Sequence, residues 1–321
     1  MREGPLALVA GGLSCVMLLD LLVHFLVGTV GFMKIGLRGY GVWQVGALTT
    51  PAMAAEIEQL GYSGLWLGGP GVDLAGIDEL LAATESLVVG SSIVNVWSGD
   101  PAVLARSYQR VASRFPGRFV LGIGVGHREQ SAGYERPMDA VRRFLDVLDA
   151  GGVPVSGRVL AALGPRMLRL AAERAGGVVP YLVPPSHTRV ARETVGSAGF
   201  VAPEQKVMVD SDVVRGLEAA RGRVRNPYLG LVNYVSNLRR LGYSEEDLAG
   251  SDRLIGDLVA VGDVSAVAAR LGEHRAAGAD HVVVQVITEK YQTHPGLPGV
   301  RLQVYDDEVM GVYRELAEGL F

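Results

Sequence analysis

The stretch FVLGIGVGHREQ, Phe119 to Gln130, decides the fold. Its first six residues, Phe119–Gly124, carry no polar side chain. They read as a strand covered on both faces, as in a parallel sheet. Glycines follow at 122, 124 and 126, and His127 closes the series. Alternate glycines leave one strand face bare, so a flat ligand or another backbone can come close. Tight packing inside a barrel asks for the same small residues, and both readings stand at this point. The pattern is GxGxGH. His127 occupies the place of the third glycine of the dinucleotide fingerprint, so a Rossmann-type site is disfavoured.

Outward from that strand, apolar runs alternate with helical patterns. The other strands expected are Lys34–Arg38, Gly64–Leu67, Leu87–Val94, Arg158–Ala162, Gly177–Leu182, Lys206–Val209 and His281–Ile287. Pro51–Gly61, Asp100–Phe115, Met138–Ala150, Pro165–Ala175, Ser186–Val195 and Asp306–Gly319 read as helices, several opened by proline or a capping residue and ended by glycine. Eight strands with helices between them give an α/β fold, a (β/α)8 TIM barrel. An open doubly wound sheet is the rival. Asp210–Ala279 is too long for one helix and predicts a helical insertion of two or three helices between strands seven and eight.

Residues 1–32 stand apart from this barrel, which the sequence assigns to 33–321. Leu6–Val30 is apolar and long enough for a membrane-spanning helix, yet Asp20 and His24 lie in its middle. A start assigned too early, with Met33 the natural start, a membrane anchor, and an extra buried or oligomer-forming helix all fit this segment. A membrane partner follows only from the second. Otherwise the expected location is cytoplasmic.

Composition narrows the function. Hydrophobic residues make up 49% of the chain and glycine is 43 of 321, which exclude disorder and, without a Gly-X-Y period, collagen. Thirty basic against 34 acidic residues give a net charge of −4, and no basic run suggests nucleic acid. The one cysteine, Cys15, excludes a disulfide framework. None of the six histidines pairs at i, i+4, and no metal site is expected. Neither a GxSxG elbow nor a Walker loop occurs. A barrel lacking metal, nucleophile and acid pair leaves the hard chemistry to an organic cofactor.

A barrel places its site at the C-terminal strand ends. After strand three, VVGSSIVNVWSGDP (Val88–Pro101) sets Ser91, Ser92 and Asn95 beside a buried run, where Asn95 can hydrogen-bond and Trp97 stack. Capping and packing explain the same residues. After strand five, Ala162-Leu163-Gly164 precede Pro165, and the free amides of that first helical turn form an anion site to which Arg166 adds charge. An ordinary strand-to-helix turn reads the same way. Gly68 and Gly69 after strand two make room and carry no acid or base. His127 is the candidate acid or base of the site.

At these residues the chain resembles the luciferase-like superfamily, and most closely its actinobacterial coenzyme F420-dependent oxidoreductases. WLGGPG, IVNVWSGDP, PGRFVLGIGVGH, VLAALGP, PYLVPPSHT, PYLGLVNY and GADHVVVQV carry the resemblance. It implies a deazaflavin ring at the barrel mouth, buttressed by a bulge with a non-prolyl cis peptide at Ser92-Ile93. It implies that Asn95 touches the ring edge, that Gly126 and His127 line the ring and ribityl chain, and that the amides of Ala162, Leu163 and Gly164 hold the phosphate; from the residues themselves, Gly124 is expected beside the ring and Arg166 near the phosphate. Many relatives carry an acid–histidine pair where Gly68-Gly69 stand here, so that role does not carry over. The resemblance implies hydride transfer between F420 and a small organic substrate, with an FMN-dependent monooxygenase and a non-catalytic cofactor-binding protein as alternatives. It also implies a homodimer. Tyr228, Asn233, Tyr234 and Asn237 of the insertion are expected to line the substrate pocket.

Overall fold

The computed structural model describes residues 35–128, 135–293, 301–303 and 306–321, together with Met1. Apart from Met1, the apolar extension lies outside the described residues. The chain runs from β1 (Gly39–Val45) through α1 (Pro51–Gln59), β2 (Gly64–Gly68), α2 (Ile77–Ala82), β3 (Val88–Ser91), β4 (Val94–Asn95), α3 (Pro101–Arg114) and β5 (Phe119–Gly124). It continues with α4 (Pro137–Ala150), β6 (Arg158–Leu160), α5 (Pro165–Arg174), β7 (Gly177–Val178), α6 (Pro185–Val195), β8 (Phe200–Val201) and β9 (Glu204–Val209). The insertion holds α7 (Val213–Arg225), α8 (Val232–Arg240), α9 (Glu245–Leu248), α10 (Asp252–Leu258) and β10 (Val259–Gly262). Next come α11 (Val264–Ala276), β11 (His281–Val286), a small β12–β13 hairpin (Tyr291–Thr293, Arg301–Gln303) and α12 (Asp307–Leu320).

All pairings in the main sheet are parallel, in the order β10-β9-β11-β1-β2-β3-β5-β6-β7-β8. β8 and β9 are halves of one strand interrupted at Ala202-Pro203. The first half pairs with β7 and the second with β11, which pairs in turn with β1. The eight positions therefore close on themselves, and the fold is the luciferase-like TIM barrel expected. β10 is an added strand on the edge of β9, with Val259 opposite Lys206.

Two expectations need correcting. The first strand is Gly39–Val45, not Lys34–Arg38. Ile35 and Leu37 are buried and their neighbours exposed, so the alternation was real, but these residues cover the barrel interior with Trp66 and Phe200 instead of forming a ladder. Alternation reports one-sided burial, which a ladder-free segment shows equally well. The insertion is also richer than two or three helices, because β10 follows α10 without a break and its VAVG reads as more of the same apolar run.

Local signals explain most helix starts. Thr50 and Asp100 cap α1 and α3 and each precedes proline at the first turn. Asp306 caps α12 by accepting from Glu308 and Val309. Ser186, expected as a cap, lies inside α6, which starts one residue earlier at Pro185. One large cluster fills the space between sheet and helices, a second fills the barrel, and a third sits in the insertion. Among the described residues no helix is long and apolar enough to cross a membrane.

Candidate active site

β3 stops where its partner needs space. A Cβ on Gly122 would stand 1.9 Å from the Ser91 carbonyl oxygen, so this glycine answers to packing. The buried Ser91 hydroxyl donates to Gly122 O (2.9 Å) and accepts from Gly122 N (2.7 Å), stitching β3 to β5. The Ser92-Ile93 peptide is cis, and the chain re-enters pairing at Val94 opposite Ile123. Ser92 N–H donates to Leu67 O (2.7 Å), which fixes the bulge to β2 as well.

Beside this bulge opens a cavity of 410 Å³. Ser92, Ile93, Gly124, Gly126 and His127 line one side and Ala162, Leu163 and Gly164 another. Trp43 of β1, Tyr181 after β7, and Tyr228, Asn233 and Tyr234 of the insertion complete it. Most of the expected site residues are thus brought together. Three are not among its lining. Asn95 lies beneath Gly126, accepting from Trp97 N (3.1 Å), and its Nδ2 fills the space a Cβ on Gly126 would need. Gly126 has φ +59°, so both conformation and contact demand glycine there. Arg166 is exposed on α5 and does not line the cavity. Asn237 is likewise buried away from it, accepting from Arg240 Nη2 (3.2 Å).

Arg240 is the cation the sequence did not reveal. It comes from α8, and its Nη2 lies 3.3 Å from where a Cβ on Gly164 would stand, at the N-terminus of α5. The buried His187 donates from Nε2 to Leu163 O (2.9 Å) and so fixes the loop leading into α5. Burial pushes the His187 imidazole below its usual range, and Arg240 adds to that push despite the Leu163 contact, keeping the ring neutral.

His127 stands at the cavity with Nδ1 3.3 Å from Asn233 Oδ1 and its ring 5.5 Å from that of Tyr234. An amide oxygen only accepts, so the neutral ring carries its proton on Nδ1 and Nε2 is its basic nitrogen. Opposite lies Trp43, which the sequence reading passed over. A Cβ on Gly68 would stand 2.3 Å from Trp43 Cζ2. The glycine in place of an acid–histidine pair is therefore what lets the indole lie there. Trp43 Nε1 is buried and has no hydrogen-bond partner among the described residues. No group of three or more His, Cys, Asp or Glu among the described residues could hold a metal.

The comparisons agree with this geometry. Residues 43–151 match the family "Luciferase-like monooxygenase". The 5,10-methylenetetrahydromethanopterin reductase of Archaeoglobus fulgidus is 22% identical over 223 residues, covering 59% of this chain and 67% of the relative. An F420-dependent secondary alcohol dehydrogenase, solved with an F420-acetone adduct, superposes with a TM-score of 0.60 at 12% identity, covering 78% of this chain and 93% of its own. The oxygenating constituent of 3,6-diketocamphane monooxygenase from Pseudomonas putida, solved with FMN, gives 0.54 at 15% identity, covering 78% and 92%. Residues 43–151 thus resemble the luciferase-like monooxygenase family, and the barrel shares its fold with these solved structures.

Proposed function

We propose that this luciferase-like oxidoreductase binds coenzyme F420 in the cavity and exchanges hydride with a small organic substrate, with FMN as the alternative cofactor. The observation that carries this reading is the cavity's construction. Backbone from Gly124 to Gly126 forms one wall, the amides opening α5 form another, and the Trp43 side chain lines the space. A tricyclic ring with a phosphoryl arm suits these three features: a flat face for the bare backbone, an anion for the helix N-terminus, and an aromatic surface for the indole.

When bound, the cofactor supplies the hydride equivalent. The chain does the rest. Ala162, Leu163, Gly164 and Arg240 hold the phosphoryl group, and His187 keeps their loop in place. Ser92 and Ile93 support the ring from below, with Asn95 bracing Gly126. Met167, Val179 and Tyr234 keep water out of the reacting volume. His127, oriented by Asn233, moves a proton at Nε2. The FMN-dependent monooxygenase reading draws support from the FMN-bound structural neighbour.

Titrating the purified protein with F420 and with FMN tests the assignment. Tight F420 binding, with hydride exchange on an added carbonyl, imine or enone, is expected. Tight FMN binding without F420 binding replaces the deazaflavin reading by the flavin one. Binding of either without exchange for any acceptor leaves a cofactor-binding protein, and binding of neither removes the redox assignment.

A further inference from the structure

One buried charge cluster in the barrel has no part in that mechanism. Glu204 and Lys206 of β9 are buried inside the fold and paired, Nζ to Oε1 2.9 Å. Lys206 also donates to Gln285 Oε1 (2.9 Å), and Glu204 Oε2 accepts from Leu182 N (3.0 Å). A barrel interior does not need an ion pair for stability, since apolar side chains of similar volume do as well or better. This pair leads to the cavity. The Lys206 ammonium lies 3.9 Å from the centroid of the Tyr181 ring and 5.0 Å from that of Tyr228. Tyr181 Oη donates to Gln285 Oε1 (2.9 Å) and is 2.9 Å from Tyr228 Oη, and both phenols line the cavity.

The hydrogen bonds can be arranged in two ways. Lys206 only donates, so Gln285 must turn its oxygen toward the ammonium. With the Tyr181 proton on Gln285, Tyr228 donates to Tyr181. If Tyr181 turns its proton to Tyr228 instead, Tyr228 is free to donate into the cavity, and Gln285 keeps its bond from Lys206. Burial, with Tyr228 and Glu204 adding to it, pushes the Tyr181 phenol well above its usual range, so Tyr181 stays a proton-bearing donor throughout.

We propose that Tyr228 is the proton donor to the substrate oxygen, that Tyr181 and Lys206 are positioning residues stabilising the Tyr228 phenolate, and that the substrate is a carbonyl compound. The inference rests on the oxidoreductase reading above. Hydride supplied by the bound, reduced cofactor would form a C–H bond at the carbonyl carbon as the C=O π bond breaks, leaving the cofactor oxidised by two electrons. The resulting alkoxide oxygen takes the Tyr228 proton. The Tyr228 phenolate then accepts a hydrogen bond from Tyr181 beside the ammonium and regains its proton from solvent, while His127 takes up the proton that the cofactor would give up on oxidation. In the oxidising direction each step reverses.

The test uses 4-nitrophenol, whose anion mimics the charged oxygen, and 4-nitroanisole, which is uncharged and of similar shape. Both are titrated into the protein carrying its oxidised cofactor and followed by visible absorbance. Wild type is expected to hold 4-nitrophenolate at least about tenfold tighter than 4-nitroanisole, the scale of a hydrogen bond to a charged group. Tyr228→Phe is expected to abolish that preference while leaving 4-nitroanisole affinity unchanged. Tyr181→Phe should reduce it in part. Lys206→Met alone strands Glu204, so the double variant Glu204→Gln/Lys206→Met removes the charge without an unpaired partner, and it too should lose the preference. A wild type without preference, or a Tyr228→Phe protein that keeps it, overturns the inference while cofactor binding still stands. A wild type that binds neither F420 nor FMN overturns the underlying reading and the inference with it.

Discussion

Two tryptophans divide the barrel. Trp66 of β2 is fully buried, stacks on Phe200, and donates from Nε1 to His281 Nε2 (3.1 Å). His281 in turn donates from Nδ1 to Arg38 O (3.2 Å), and Gly41 and Gly64 leave room for its ring. Trp43, one strand earlier, lies over Gly68 and beside Tyr181, and its buried N–H meets no acceptor among the described residues. Around Trp66 each polar atom has its match inside the fold, as a packed core requires. Trp43 instead borders the cavity. One end of the barrel is built for stability and the other for a ligand, the division barrel enzymes use.

Substitutions that ignore this division should break it. The largest effect is expected from Trp66→Ala, which empties a dry site. It should cost about 3–5 kcal/mol in urea unfolding, with unchanged cofactor affinity in the folded fraction. Affinity falling in step with stability would show that the two ends are not separate.

Acid should strike the same closed region next. Burial drives the His281 imidazole down to about 4, against the Arg38 carbonyl bond, and the neutral ring accepts from Trp66 at Nε2. His274, buried between Thr188 and Gln205, is driven down to about 3. Both folded values lie below the ordinary 6.5. Their contribution is therefore complete above about 6.5 and is lost as pH falls through 4 and then 3. Unfolding free energies at stepped pH should decline over that window, and a flat profile would contradict the neutral assignment.

At the open end the effects should fall on function. His127→Ala should lower turnover about a hundredfold, the scale of a lost acid or base, with little change in cofactor affinity. Equal turnover would remove His127 from the chemistry. Gly164→Asp places a negative charge at the opening of α5 beside Arg240 and should weaken FMN or F420 by about tenfold. Riboflavin, lacking the phosphate, should be unaffected, and an equal loss for riboflavin would contradict the anion site. Trp43→Phe shortens the aromatic wall that lies over Gly68, so a few-fold loss of ligand affinity with little change in stability is expected.

The sequence displayed much of this architecture. Phe119–Gly124 is the observed β5 to the residue, because six apolar positions followed by glycines leave little choice. Ser92, Ile93, Gly126, His127 and Gly164 do meet at one cavity, since a barrel gathers its strand ends. What stayed hidden depends on distance along the chain. Arg166 was conspicuous by adjacency to Gly164, yet it faces solvent, and the guanidinium beside Gly164 is Arg240, seventy-odd positions later. Gly68 showed an absence but not that Trp43 fills it. Lys206 stood within an apolar strand with no sign that Tyr181 and Gln285 would surround it. A charge in a strand is a signal worth following, because a barrel buries it only with partners.

The central claim is that the cavity beside Gly126 receives a tricyclic redox cofactor. A crystal structure of the protein soaked with oxidised F420 tests it most directly. The account predicts ring density between Ile93, Gly124 and Trp43, and the phosphoryl group against the amides of Leu163 and Gly164 near Arg240. Density elsewhere on the surface, or a ring lying away from Trp43 with no anion at Gly164, would contradict it.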